Sequence, residues 1–563
     1  MAEANVPPRA DQGTAAAQDR HLRRTLGYWQ LTAVGFSGVI GSGWLLGAMY
    51  AAQAAGPEAI VAWLVGGAVL MLIALVMAEL GAARPESGGL VRWPYYSSGR
   101  LVATIAGWGI WIAYATNPPS ESAAMIQYMS KYVPHLYNGT RLTTLGILAG
   151  IGIMAVFVVL NWFGVQLFAR VNGALTVAKF VVPTLTVILL FASGFHSGNF
   201  SGHGGFAPYG WAPGLSAIAT AGIIYAYTGF QGPVDLSGEA RNPRRDVPRA
   251  VLTSLAGATV LYVLLQLVFV GGVPGTDLIH GWHGISFSSP YAQLAVLANL
   301  AWFSWVLYAD AIASPAGSAL AFTAATGRES FAMAKNRFLP EAAGRVDPRS
   351  GVPRRALVIN FVIGIAFLLP LHSWQTIVAA TSELGLIAYA LPSVSAMAFN
   401  RAARADPGSD HRSGHGSGQG DEQTARTIPG VRFIAPLAFV LASMILYWAT
   451  WTELRVALPV LLVAVVVYAY QQWRMGVDWR DVRLGAWLVG YLVAILVMSV
   501  IGSRDFGGTN AIPAPWDTIV VAVIGAAAYV AGVRAGTQHL AIHPAPEPYQ
   551  RSSRGSTDSS DDS

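Results

Sequence analysis

Long apolar runs alternate with short polar connections along this chain. The runs lie near residues 28–53, 58–80, 100–129, 144–165, 173–194, 214–233, 249–271, 291–324, 356–371, 375–398, 432–450, 455–472, 485–502 and 518–534. A hydrocarbon core of roughly 30 Å takes about 20 helical residues to cross. The runs also lack the period-two alternation of a membrane β-barrel. The pattern therefore predicts an all-α polytopic membrane protein with fourteen spans.

Composition excludes the alternatives. Hydrophobic residues make up 54% of the 563 and charged residues only 11%, against about 25% charged in soluble globular domains. There is no cysteine, so disulfides, thiol catalysis, iron–sulfur clusters and cysteine zinc sites are out. The net charge is +6, but it comes from arginines spread over the connections. That distribution suits membrane orientation and not nucleic-acid binding.

With the N-terminus inside, the inner connections hold Arg84, Arg92 and Arg100, then Arg170, then Arg241, Arg244, Arg245 and Arg249. The next holds Arg328, Lys335, Arg337, Arg345, Arg349, Arg354 and Arg355. The outer ones hold few basic residues, and 195–213 and 272–290 hold none. The bias predicts a cell-membrane protein with both termini cytoplasmic. Residues 1–25 lack the pattern of a secretory signal and read as a cytoplasmic tail. The 401–430 stretch reads as a flexible cytoplasmic loop, 431–535 as four additional helices, and 536–563 as a disordered cytoplasmic tail.

Two runs are interrupted. The first contains Gly35, Gly38, Gly41, Gly43 and Gly47. These glycines serve either close helix packing or an opened helix whose freed amides grip an anion. The Gly41-Ser42-Gly43 triplet favours an opening. The sixth run carries Gly229, Gly232 and Pro233 near its inner half. Freed carbonyls there suit an ammonium group, with Tyr227, Phe230 and Trp44 as walls. Breaks at matching positions of two halves point to a midplane transport site.

The Gly38–Trp44 stretch, Glu86-Ser87-Gly88-Gly89, and above all the stretch from Gly229 to Ala250 with Gly238-Glu239-Ala240 and Asn242-Pro243, resemble the amino acid–polyamine–organocation superfamily. The likeness covers roughly residues 25–400. It implies a LeuT-like core of ten helices in two inverted five-helix repeats, about 28–194 and 214–398. It also implies an amino acid substrate whose carboxylate sits on Ser42, Gly43 and Trp44 and whose amino group sits on Tyr227, Thr228 and Phe230. Gly507-Gly508 and the segment from Ile512 to Asp517 resemble a bacterial subgroup that includes an aspartate–proton symporter.

Charges inside the runs are costly and mark function or pairing. Lys179 either snorkels to the inner interface or, as in some proton-coupled relatives, stands where a sodium ion would and couples transport to protons. Glu121 follows Pro118-Pro119, which should kink its helix; it is a relay or substrate contact, or a paired structural carboxylate. Asp310 and Glu383 are further candidates. Asp235 and Glu239 are expected to pair with the inner arginine cluster. His280 and His283 alone do not make a metal site, and no ATP-binding motif is present. The reading is therefore a secondary amino acid transporter, not an enzyme. It would use no cofactor, and its partners would be substrate, protons and lipid but no nucleic acid. Proton symport comes first, and a sodium-independent exchanger of amino acids or amines is the alternative.

Overall fold

The computed structural model describes residues 25–85, 88–163, 165–345, 347, 353–405 and 430–546. The tail residues 1–24 and 547–563, most of the 401–430 loop, Glu86, and the side chain of Arg170 lie outside that description.

Each apolar run is helical. The first forms α1 (Tyr28–Val39) and α2 (Gly43–Ala55), and the second forms α3 (Ala59–Ala83). The third is α4 (Gly89–Ala115) followed by α5 (Asn117–Met129), with the chain turning at Thr116 just before the paired prolines. Next come α6 (Thr144–Trp162) and α7 (Val165–Ser193). The sixth run is in three pieces, α8 (Ala212–Thr220), α9 (Ile223–Tyr227) and α10 (Gly232–Asp235), and α11 (Pro243–Gly272) follows.

The 291–324 run departs from expectation. It divides into α12 (Pro290–Leu297) and α13 (Ala301–Lys335). Asn299 adopts a left-handed conformation at φ 60°, and Leu300 N–H closes the turn onto the Ala295 carbonyl at 2.7 Å. Asparagine tolerates that conformation better than most residues, and it carries no apolarity signal that would reveal the turn. The core ends with α14 (Arg354–Leu368) and α15 (Trp374–Ala405). Then come α16 (Val431–Trp448), α17 (Thr450–Met475), α18 (Trp479–Ile501) and α19 (Trp516–Ile542).

Eight helical stretches among the described residues are long and apolar enough to cross a membrane. Their outer faces confirm the environment. On α6, Leu145, Leu148, Val156 and Val159 are exposed, while Gly146, Gly150, Met154 and Phe157 are buried. Helical spacing thus puts both glycines inward, with Met154 and Phe157, and leaves a stripe of large aliphatic residues outward, where a helix facing water would carry polar ones. The chain is an all-α, multi-pass membrane protein.

The four C-terminal helices pack along the core: α16 on α3 and α15, α17 and α18 on α4, and α19 on α4 and α15. Asp517, singled out in the 512–517 segment, is wholly buried. Its carboxylate accepts from Tyr447 Oη at 2.6 Å and from Ser503 N at 3.3 Å, which ties the loop before α19 to α16. At the arginine-rich end, Leu26 bridges to Ala240, and Arg84 Nη1 donates to the Pro546 carbonyl at 3.0 Å. The first and last described residues therefore lie among the basic connections.

Candidate functional site

At the first break Ile40 leaves the helix with ψ 94°, and Ser42 is the cap residue just before α2. An opened turn inside a membrane protein must find other partners for its main-chain groups. Ser42 N–H finds the Glu121 carboxylate, donating to Oε2 at 2.7 Å. Trp374 Nε1 donates to Ser42 Oγ at 2.8 Å. The Tyr262 hydroxyl lies 2.9 Å from the Val39 carbonyl and 3.0 Å from that of Ala226, so it joins the two breaks. Gly41 has a packing reason to be glycine: a Cβ there would collide with the Glu121 carboxylate and Ser318.

The second break spans 228–231. Thr228 is extended (ψ 134°) and Gly229 has φ 116°, a conformation other residues rarely adopt. Gly229 also touches the backbone of Gly38. The two openings therefore meet, main chain against main chain, with no side chain between them. Gly229 N–H donates to Gln231 Oε1 at 2.9 Å. Gln231 Nε2 donates to Tyr114 Oη at 2.8 Å, and Tyr114 Oη donates to Asp235 Oδ2 at 3.0 Å.

Glu121 is the centre of the cluster. It is 1% exposed. Tyr225 Oη donates to Oε1 at 2.9 Å, and Asn117 Nδ2 donates to that same tyrosine oxygen at 3.0 Å. Lys179, also 1% exposed, does not reach an interface. Its Nζ donates to the Ser37 carbonyl at 2.7 Å, one turn before the first break. Its ammonium acts electrostatically on Glu121 and Asp310. Among the described residues neither carboxylate oxygen of Asp310 has a partner at normal hydrogen-bond distance, and the Trp44 indole N–H is the polar group that bears on it. Lys179, Glu121 and Asp310 thus form one buried charged group beside the first opening, with one cation facing two carboxyl groups.

The other expected residues divide. Gly43 starts α2 directly after Ser42. Trp44 packs on Tyr291, ring centroids 5.5 Å apart. The Tyr227 ring turns away from the break, its hydroxyl donating to the Trp63 carbonyl on α3 at 3.0 Å. Phe230 packs on Tyr389 at 5.5 Å, and Thr228 Oγ1 donates back to the Ile224 carbonyl at 3.1 Å. Glu383 has no contact with Glu121, Lys179 or Asp310 among the described residues. It is buried, both its oxygens lack partners among the described residues, and the charged group acting on it is Glu453 of α17. Asp235 meets Tyr114 of α4 and the field of Arg328 of α13, not the 241–249 arginine cluster expected to hold it.

Access to the breaks is one-sided. A cavity of about 300 Å³, its lining shared by Gly38, Gly229, Tyr114, Asp235 and Arg328, opens at the arginine-rich end. On the opposite side Tyr50 stacks on Trp374 (5.5 Å, 16°), and Tyr225 meets the same indole edge-on at 5.9 Å. These aromatics cover Ser42. Tyr225, Trp374, Asn117 and Tyr262 were not singled out from the sequence, where nothing distinguishes them from the many other aromatic and polar residues of the runs.

Paired helix interruptions lined by bare main chain, entered from one face of a membrane protein, suit carriage of a small polar solute. Residues 26–469 match the amino acid permease family. The chain belongs to that family. The permease is 38% identical over 528 residues to the glutamate/serine transporter AimA of Bacillus subtilis, covering 92% of this chain and 95% of that one. It is 32% identical over 531 residues to the aspartate-proton symporter of the same organism, covering 93% and 98%. It is 29% identical over 398 residues to human cationic amino acid transporter 4, covering 68% and 60%. The permease therefore carries amino acids across a membrane by secondary transport and is not an enzyme.

Proposed function

We propose that this permease is a proton-coupled amino acid symporter. Its substrate carboxylate would bind the Ser42, Gly43 and Trp44 amides, and its ammonium the carbonyls of Tyr227, Thr228 and Phe230. The observation that carries the reading is Glu121. Its carboxylate already occupies the Ser42 amide, the place assigned to the substrate. Two carboxylates facing one helix start repel each other, so the arriving substrate displaces Glu121. A displaced, buried carboxylate is costly unless it takes a proton. Substrate and proton are then bound together, with Lys179 as the cation that keeps the empty site neutralised.

The arginine-rich end is the cytoplasmic one under this reading, so the vestibule faces inward. The fourteen runs are spans, both termini are cytoplasmic, and 26–400 forms two inverted repeats that each begin with an interrupted helix. The names of the two bacillar relatives make glutamate, aspartate and serine the first substrates to test.

Uptake into liposomes holding the purified permease tests this. With a proton gradient of about one pH unit, acid outside, a one-proton symporter sustains about tenfold accumulation of a net-neutral solute. Accumulation of serine should appear without sodium and collapse with a protonophore. Serine counterflow that ignores the pH gradient would instead establish the exchanger.

A further inference from the structure

We propose that the vestibule is a second, transient binding site for the transported α-amino acid, with the ammonium on Asp235 and the carboxylate on Arg328. This rests on the transport reading above, but it concerns a place nearer the arginine-rich end than the two breaks.

The cavity holds about 300 Å³, the liquid volume of about ten waters, enough for one amino acid with part of its hydration. Most of its wall is small or apolar, and opposite charges stand on facing elements. Asp235 ends α10, and Arg328 lies in the last turns of α13. Arg328 is exposed and acts electrostatically on Asp235, yet among the described residues the two form no direct ion pair. A cation and an anion held apart across a water-accessible space offer each end of a zwitterion its counter-charge, and neither residue must first break a bond to the other.

Asp235 is also wired to the second break. Its Oδ2 accepts from Tyr114, which accepts from Gln231, whose Oε1 accepts from Gly229 N–H. A ligand that pulls on Asp235 is therefore felt at the main chain that holds the substrate ammonium in the central site. Handing the solute from the breaks to Asp235 and Arg328 keeps both its charges paired while it leaves. Direct release would leave both unpaired beside the close contact of Gly38 and Gly229.

Saturation binding of radiolabelled L-serine and L-glutamate to the purified full-length permease in detergent tests the site. Two molecules per chain are expected, a tighter and a weaker. Asp235→Asn and Arg328→Ala should each abolish the weaker and leave one. Arg328 is exposed, so its truncation keeps the test open if Asp235→Asn does not fold. One molecule per chain in the native permease overturns the vestibule site while leaving the symporter reading intact, as does a count of two that survives both substitutions. No saturable binding of either amino acid overturns the vestibule site and the substrate assignment together.

Discussion

Lys179→Ala permease is expected to bind and exchange its amino acid but to lose gradient-driven accumulation. In the native protein the ammonium bonds the Ser37 carbonyl beside the first break at 2.7 Å and supplies positive charge to Glu121 and Asp310. Without it, both buried carboxyl groups lose the cation that acts on them. The state of lowest cost is then the protonated one, whether or not substrate is present. A site that no longer releases its proton cannot use a proton gradient. Accumulation under about one pH unit should fall from about tenfold to equilibrium, while counterflow at equal pH persists. Lys179→Arg keeps the charge and should retain part of the coupling. Full accumulation by Lys179→Ala would remove the lysine from the mechanism, and a variant that does not fold leaves Lys179→Arg to decide.

The second large effect concerns Glu121. Glutamine at this position can still accept from Ser42 N–H through its one carbonyl oxygen while its amide nitrogen donates to Tyr225 Oη, so the local fold should hold, but it cannot ionise. Substrate displaces a charged carboxylate from the Ser42 amide in the native site. Binding is therefore accompanied by proton uptake, and affinity falls as pH rises, by up to about tenfold per pH unit for one linked proton. In Glu121→Gln that dependence should vanish, and mixing substrate with protein in weakly buffered solution should take up no proton. Glu121→Ala differs: it leaves Ser42 N–H buried without a partner, at a cost of about 1–3 kcal/mol, and should lower stability as well. A pH dependence of binding unchanged in Glu121→Gln would assign the proton elsewhere in the cluster.

Much of this was legible in the sequence because membranes punish exceptions. Glycine and proline inside apolar runs announced both openings, and Lys179 and Glu121 stood out as charges where charge is expensive. What was hidden depends on direction and not on type. Tyr225 and Tyr227 sit two residues apart, so on a helix they point to different sides. One reaches Glu121 and the other reaches Trp63. Sequence could not say which tyrosine faced the site. Trp374 opens α15, more than 300 positions from Ser42, and only the packed fold brings them together. Glu383 looked like Glu121 as a buried carboxylate, but the charge acting on it is Glu453 of α17, a neighbour set by how the C-terminal helices pack. The turn at Asn299 was missed because apolar residues continue across it.

One exchange of carboxylates at the start of α2 carries the proposed coupling, and a cryo-EM map of the permease with a transported amino acid bound looks at it directly. The substrate carboxylate should lie on the amides of Ser42, Gly43 and Trp44, its ammonium on the carbonyls of 227–230, and the Glu121 side chain should have left Ser42. Substrate density elsewhere, with Glu121 still 2.7 Å from Ser42 N, would contradict it.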